Sequence, residues 1–163
     1  MNLHKYLKGQ SSPTGVNFYD HICKIKEKAK KWLKPLDKNG ISHSKRIEEY
    51  LNKLIPNEFI KEKWLSPAEV FVLLYAVYLH DIGYIKDDGT IDHKDHPKRS
   101  GEKIRNNWTA YCFSSEFFPP YQNEHPRAVE AVATVCECHA PEVVCKLNEV
   151  PQEFPDQALD SKP

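Results

Sequence analysis

The sequence predicts an all-α domain, and three features carry that expectation. Apolar residues recur at helical spacing through most of the chain. A complete helix-start signal, Ser66-Pro67-Ala68-Glu69, opens the most apolar run, residues 70–79. Few segments alternate with the period of two that a strand requires. The 163 residues fit one domain. Lys plus Arg number 23, as do Asp plus Glu, and this zero balance argues against nucleic acid as a partner over the whole surface. With 40% hydrophobic and 28% charged residues, the composition excludes disorder throughout. No apolar stretch approaches the ~18 residues of a membrane span, so no membrane partner is expected. The opening MNLHKYLKGQ lacks the apolar run of a signal peptide. The expected compartment is therefore cytoplasmic, with the five cysteines reduced.

The elements follow in order. A first helix is predicted over about residues 17–34, with Phe18, Ile22, Ile25, Ala29, Trp32 and Leu33 inward, until Pro35 and Asn39-Gly40 break it. Its outer face is rich in lysine, which reads as a solvated surface. A second is predicted from Ser42 to about Ile55, with Ile47, Tyr50, Leu51 and Leu54 on one stripe. The third starts at Pro67 and is apolar nearly all round, the mark of a buried central helix. Gly83 is expected to end it in a left-handed conformation. Residues 84–95 read as a polar loop and 97–108 as a fourth helix. The aromatic, proline-rich residues 109–123 read as an ordered loop, and 125–139 as a fifth helix. An acidic, proline-containing tail closes the chain.

Eight histidines stand out. His80-Asp81 ends the central helix, where a His and a carboxylate leave the core. Such a pair fits there when it is mutually paired or holds a metal. Asp is a hard oxygen ligand, and neutral imidazole suits Mn, Fe, Co, Ni and Zn. His43 lies on the apolar stripe of the second helix, with Arg46 one turn on as a candidate anion clamp. His96 opens the fourth helix in His96-Pro97-Lys98-Arg99-Ser100-Gly101, where Lys98 and Arg99 are further phosphate-binding candidates. His139 ends the fifth helix in phase with Val132 and Cys136, and His125 begins that stripe. Cys136 and Cys138 are two apart and point to opposite sides of a helix, which argues against a zinc knuckle. They read as small buried hydrophobes.

In this order the residues resemble the HD superfamily of metal-dependent phosphohydrolases. The similarity covers roughly residues 41–140, and Leu79-His80-Asp81-Ile82-Gly83 is its most specific part. His96-Pro97 and the late His139 resemble the branch that binds two metals. The resemblance implies a helical bundle of about five to six helices. It implies His43, His80 and Asp81 as core metal ligands with Asp81 bridging, and His96 and His139 as the added ligands. Asp81 and His80 would then serve catalysis through one or two divalent transition-metal ions. The implied reaction is hydrolysis of a phosphomonoester or phosphodiester in a phosphorylated small molecule or nucleotide.

Three positions depart from the family pattern. Asp156 and Asp160 are the only aspartates left to supply its last ligand, and they stand in the tail. Cys138-His139 replaces a pair of adjacent histidines, and Tyr84 stands where the cyclic-dinucleotide branch carries lysine. These departures give the alternative reading, a degenerate module that binds a nucleotide or a partner protein without turnover. They also raise the expectation that a larger protein or a second chain completes the site. The resulting division is a basic helical segment at 1–40, a metal-binding core at 41–145 and the tail at 146–163.

Overall fold

The computed structural model describes residues 2–114, 116–117, 120–121 and 125–139. Seven α-helices lie among them: α1 (Leu3–Tyr6), α2 (Phe18–Trp32), α3 (Gly40–Leu54), α4 (Asn57–Lys61), α5 (Pro67–Leu79), α6 (His96–Asn106) and α7 (Arg127–Glu137). Two 3-10 turns, Lys34–Asn39 and Ile82–Tyr84, join them. A two-residue antiparallel ladder, Pro120–Tyr121 with His125–Pro126, precedes α7. The fold is all-helical in character, as the periodicity predicts. The tail at 146–163 lies outside the described residues. No described helix is long and apolar enough to cross a membrane.

Helix α5 is the axis of the bundle. Its residues 70–72 and 74–79 are all buried. At about 1.5–3 kcal/mol for each large apolar side chain removed from water, this one helix carries much of the burial term. Its start is the capping box read from the sequence. Ser66 Oγ accepts from the Glu69 amide at 3.2 Å, and Glu69 Oε2 accepts from the Ser66 amide at 2.7 Å. Helices α2, α3 and α7 pack around α5, and α6 lies against α7. The first two helices share this core, through Leu3, Phe18, Ile22, Ile25 and Ala29.

The second expected stripe is rotated in the structure. Tyr50 is 58% exposed and Leu54 74% exposed, while Gly40, Ser44 and Glu48 are buried. Two contacts explain the rotation. A Cβ at Gly40 would sit 2.6 Å from Leu33 O, so glycine lets α3 begin hard against the end of α2. Glu48 is drawn inward by Lys26 Nζ, which donates to it at 2.8 Å, and by the Tyr78 hydroxyl, which also donates to it. A buried carboxylate with two donors satisfies the requirement that buried charge be paired. Ile47 and Leu51 still pack against the core from the edge of this face.

The aromatic loop does pack over the core. Phe113 stacks on Tyr75 with ring centroids 4.4 Å apart, and Phe117 lies 5.7 Å from Phe71. The Tyr75 hydroxyl donates to Tyr111 O at 2.6 Å. Cys136 is fully buried, as a small hydrophobe would be. Cys138 is disulfide-bonded, which corrects the expectation of wholly reduced cysteines.

His21 lies beneath this loop, edge-on to Phe117 at 4.3 Å. Burial, aided by the charge of Lys24, pushes its pKa down to about 4. The unfolded chain takes up that proton near pH ~6.5. Stability from neutral His21 is therefore complete above pH ~6.5 and is lost as the pH falls toward 4. Allowing for its partial exposure, we expect a loss of about 1–2 kcal/mol. Urea unfolding at pH 7 and pH 4.5 checks this. His21→Gln should show the smaller loss of the two proteins, and equal losses would contradict the assignment.

Candidate metal centre

The end of α5 sets the site. His80 is the C-terminal cap, and Asp81 follows at φ −100° and ψ 3°, turning the chain into Ile82–Tyr84. This turn is bolted to α6. The Gly83 amide donates to Ser100 Oγ at 2.9 Å, and the Ser100 hydroxyl donates to His80 O at 2.6 Å. Gly83 is not left-handed, contrary to expectation; it is absent from the positive-φ residues. Its role is close approach, because a Cβ there would meet His96 O at 2.1 Å and the Ser100 amide nitrogen at 2.5 Å. One short turn thus brings His80 and Asp81 beside the first residue of α6, His96.

Four histidines from four elements converge on the Asp81 carboxylate, which is buried. Oδ2 lies 3.1 Å from His80 Nε2 and 3.9 Å from His43 Nε2. Oδ1 lies 3.7 Å from His96 Nε2 and 3.8 Å from His139 Nε2. Two triads capable of holding an ion result, His43–His80–Asp81 and Asp81–His96–His139, and Asp81 belongs to both.

The opposite ring nitrogens decide what these atoms are. His80 Nδ1 bonds Val77 O at 2.9 Å, His96 Nδ1 bonds His93 O at 2.9 Å, and His139 Nδ1 bonds Cys136 O at 2.5 Å. A carbonyl only accepts, so each Nδ1 carries a proton, and Nε2 is the ring nitrogen turned toward Asp81 and available to an ion. Such backbone bonds orient histidines that ligate metals. The Nε2 atoms of His96 and His139 stand 3.0 Å apart. Two lone pairs at that distance repel unless a cation or proton lies against them. His80 Nε2 is buried 3.1 Å from Asp81 Oδ2 but is not well directed for a hydrogen bond to it. A buried imidazole nitrogen set against a carboxylate is the arrangement of an ion site, and the donor set of imidazoles and carboxylate suits a divalent transition metal.

The electrostatics agree. Burial alone would raise the Asp81 carboxyl, but the imidazoles of His80, His43 and His139 outweigh it and hold the group below its ordinary range. Burial lowers His43 and His139 and outweighs the opposing pull of the Asp81 carboxylate on both. At neutral pH, Asp81 is thus ionised and these two rings are neutral, the forms that ligate.

A cleft of about 480 Å³ opens beside the site, lined by Leu36, His43, Arg46, Asp81, Tyr84, Ile91 and His93 among others. That volume is in the range of small-molecule sites. Arg46 is exposed and lines the cleft. The other two expected clamps are placed differently. Lys98 is 75% exposed and lies 3.9 Å from Glu102. Arg99 donates through Nε to Gly83 O at 2.8 Å and through Nη2 to Asp92 O at 2.6 Å. Its guanidinium braces the turn that carries Asp81. The side chain of His125 is outside the described residues.

Sequence reasoning did not single out Tyr84, His93 or Ile91 for the cleft, nor the bolt formed by Ser100. The only signal for Ser100 was its place one turn after His96, in line with Ile104. Nothing local in the sequence marks Tyr84 or His93 as facing the site.

In comparisons with known proteins, the HD-CE family matches residues 36–160. No curated protein and no solved structure matches.

The Gly83 contact yields a prediction. Gly83→Ala should cost about 1–3 kcal/mol through overpacking, lower the thermal unfolding midpoint and reduce metal uptake by displacing His96. Calorimetry with elemental analysis reads both. A variant with unchanged melting and metal content would contradict the close approach.

Proposed function

The chain belongs to the HD-CE family of HD domains, and from that membership we propose that it is a metal-dependent phosphohydrolase acting on a nucleotide-like phosphomonoester or phosphodiester. The observation that carries the reading is the set of Nε2 atoms gathered around one shared carboxylate. His43, His80 and Asp81 would hold one divalent ion, and Asp81, His96 and His139 a second. When bound, such ions polarise a phosphoryl oxygen and bring the pKa of a bound water toward ~7.

The chain's own residues do the rest. Val77 O, His93 O and Cys136 O each accept from a ring Nδ1 and so turn Nε2 of His80, His96 and His139 toward the site. Arg46 supplies a guanidinium at the cleft for the charge of a phosphoryl group. Leu36, Ile91 and Tyr84 give the cleft an apolar wall that suits a flat base or another apolar group. Phosphoryl transfer depends chiefly on positioning and charge stabilisation, and this arrangement provides both.

A second reading is binding without turnover. It is favoured by the ligand set, because Asp81 is the only carboxylate in either triad among the described residues. Asp156 and Asp160, the aspartates left for a further ligand, lie outside those residues.

A panel of phosphomonoesters and phosphodiesters, offered with Mn, Fe, Co, Ni or Zn, separates the two. We expect turnover by the wild type and a loss of at least ~100-fold in Asp81→Asn. Arg46→Gln should raise KM about tenfold or more while metal content stays unchanged. Metal binding with no turnover on any ester would favour the second reading.

A further inference from the structure

Tyr84 belongs to no triad, yet it makes the closest ring contact around the site. Its ring lies flat on His96, with centroids 3.7 Å apart and planes at 12°. His93 meets the same tyrosine edge-on at 4.8 Å. Tyr84 is half-buried and lines the cleft beside Asp81.

We propose that Tyr84 is a positioning residue for the ion shared by Asp81, His96 and His139, and that its ring fixes the plane in which His96 presents Nε2. The proposal rests on the two-ion part of the functional reading above.

The His96 ring keeps one freedom that its hydrogen bond does not remove. The bond from His96 Nδ1 to His93 O fixes one direction of the imidazole. The ring can still rock about that bond, which would swing Nε2 away from His139 Nε2 and Asp81 Oδ1. A flat partner on the face removes this motion. The other ligands have different supports. His80 is only 6% exposed and is set between the rings of His43, at 5.3 Å, and His139, at 5.0 Å. His96 opens its helix behind Asp95, a residue in the left-handed region at φ 53° that offers it no side-chain cap bond. The face of the Tyr84 ring adds to the bond with His93 O the support that the cap lacks. The hydroxyl takes no part in this contact, so phenylalanine should serve equally.

It follows that the two ion sites are unequal. Loss of the Tyr84 ring should weaken the site at His96 and His139 and leave the site at His43 and His80 in place. The test is titration of the full chain with manganous chloride, followed by the electron paramagnetic resonance of free Mn(II). Wild type, Tyr84→Phe, Tyr84→Leu and Tyr84→Met are compared. The wild type and Tyr84→Phe should each take up two ions. Tyr84→Leu and Tyr84→Met should bind one ion as the wild type does and the other about tenfold or more weakly. Two bulky apolar variants are used so that a folding failure in one leaves the other to answer. A second readout needs no metal: the His96 ring protons should be shifted upfield by the tyrosine or phenylalanine ring and lose that shift with Leu or Met.

Leu and Met variants that bind both ions as tightly as the wild type would overturn the proposal. So would a Phe variant that loses as much as they do. A wild type that takes up fewer than two ions would overturn the two-ion reading itself, and that result appears before any substitution is made.

Discussion

A buried carboxylate needs a counter-charge, and the Nε2 atoms of four histidines surround Asp81 where a shared cation would supply it. They come from α3, from the cap of α5, from the first residue of α6 and from the residue after the cap of α7. The convergence of these elements on one carboxylate organises this end of the bundle. The bolt from Ser100 to His80 O and the Gly83 amide, and the brace from Arg99, serve to keep the turn at Asp81 in register with α6. On the far face of α6, Arg105 is paired with both Glu130 and Glu137 of α7, at 2.8 Å and 2.5 Å. That pairing keeps α7, and with it His139, at a fixed distance from His96.

Much of this was legible in the sequence, for identifiable reasons. The central helix was legible because an all-round apolar run can only be buried, and because Ser66 and Glu69 mark its start without ambiguity. His80-Asp81 was legible because polar residues at the end of such a helix need a partner or an ion. The orientation of α3 was not. Its stripe depends on Glu48 finding Lys26 and Tyr78, a contact between three helices that no local period encodes. The short helices α1 and α4 were missed because four or five residues are too few to show a helical period. Gly83 was assigned the common role of a glycine after a helix. The structure gives it another, since the backbone of α6 runs where a side chain would be.

The candidate site divides in the same way. Its ligands could be named from residue type and order, because only a few side chains bind metal. The supporting residues could not. Arg99 reads from sequence as a free cation and is spent on two carbonyls and Asp92. Tyr84 reads as a loop aromatic and lies on the ring of a ligand. Support of this kind is made by long-range geometry, whereas ligation is written in residue identity.

Metal at the Asp81 cluster is what the four histidines would be gathered for. The most direct measurement is anomalous X-ray scattering from crystals of the full chain grown with manganous chloride, recorded on both sides of the manganese absorption edge. The account predicts anomalous peaks between the Asp81 carboxylate and the Nε2 atoms of His43, His80, His96 and His139, one for each triad. Absence of any peak there, or a peak only elsewhere on the protein, would contradict it.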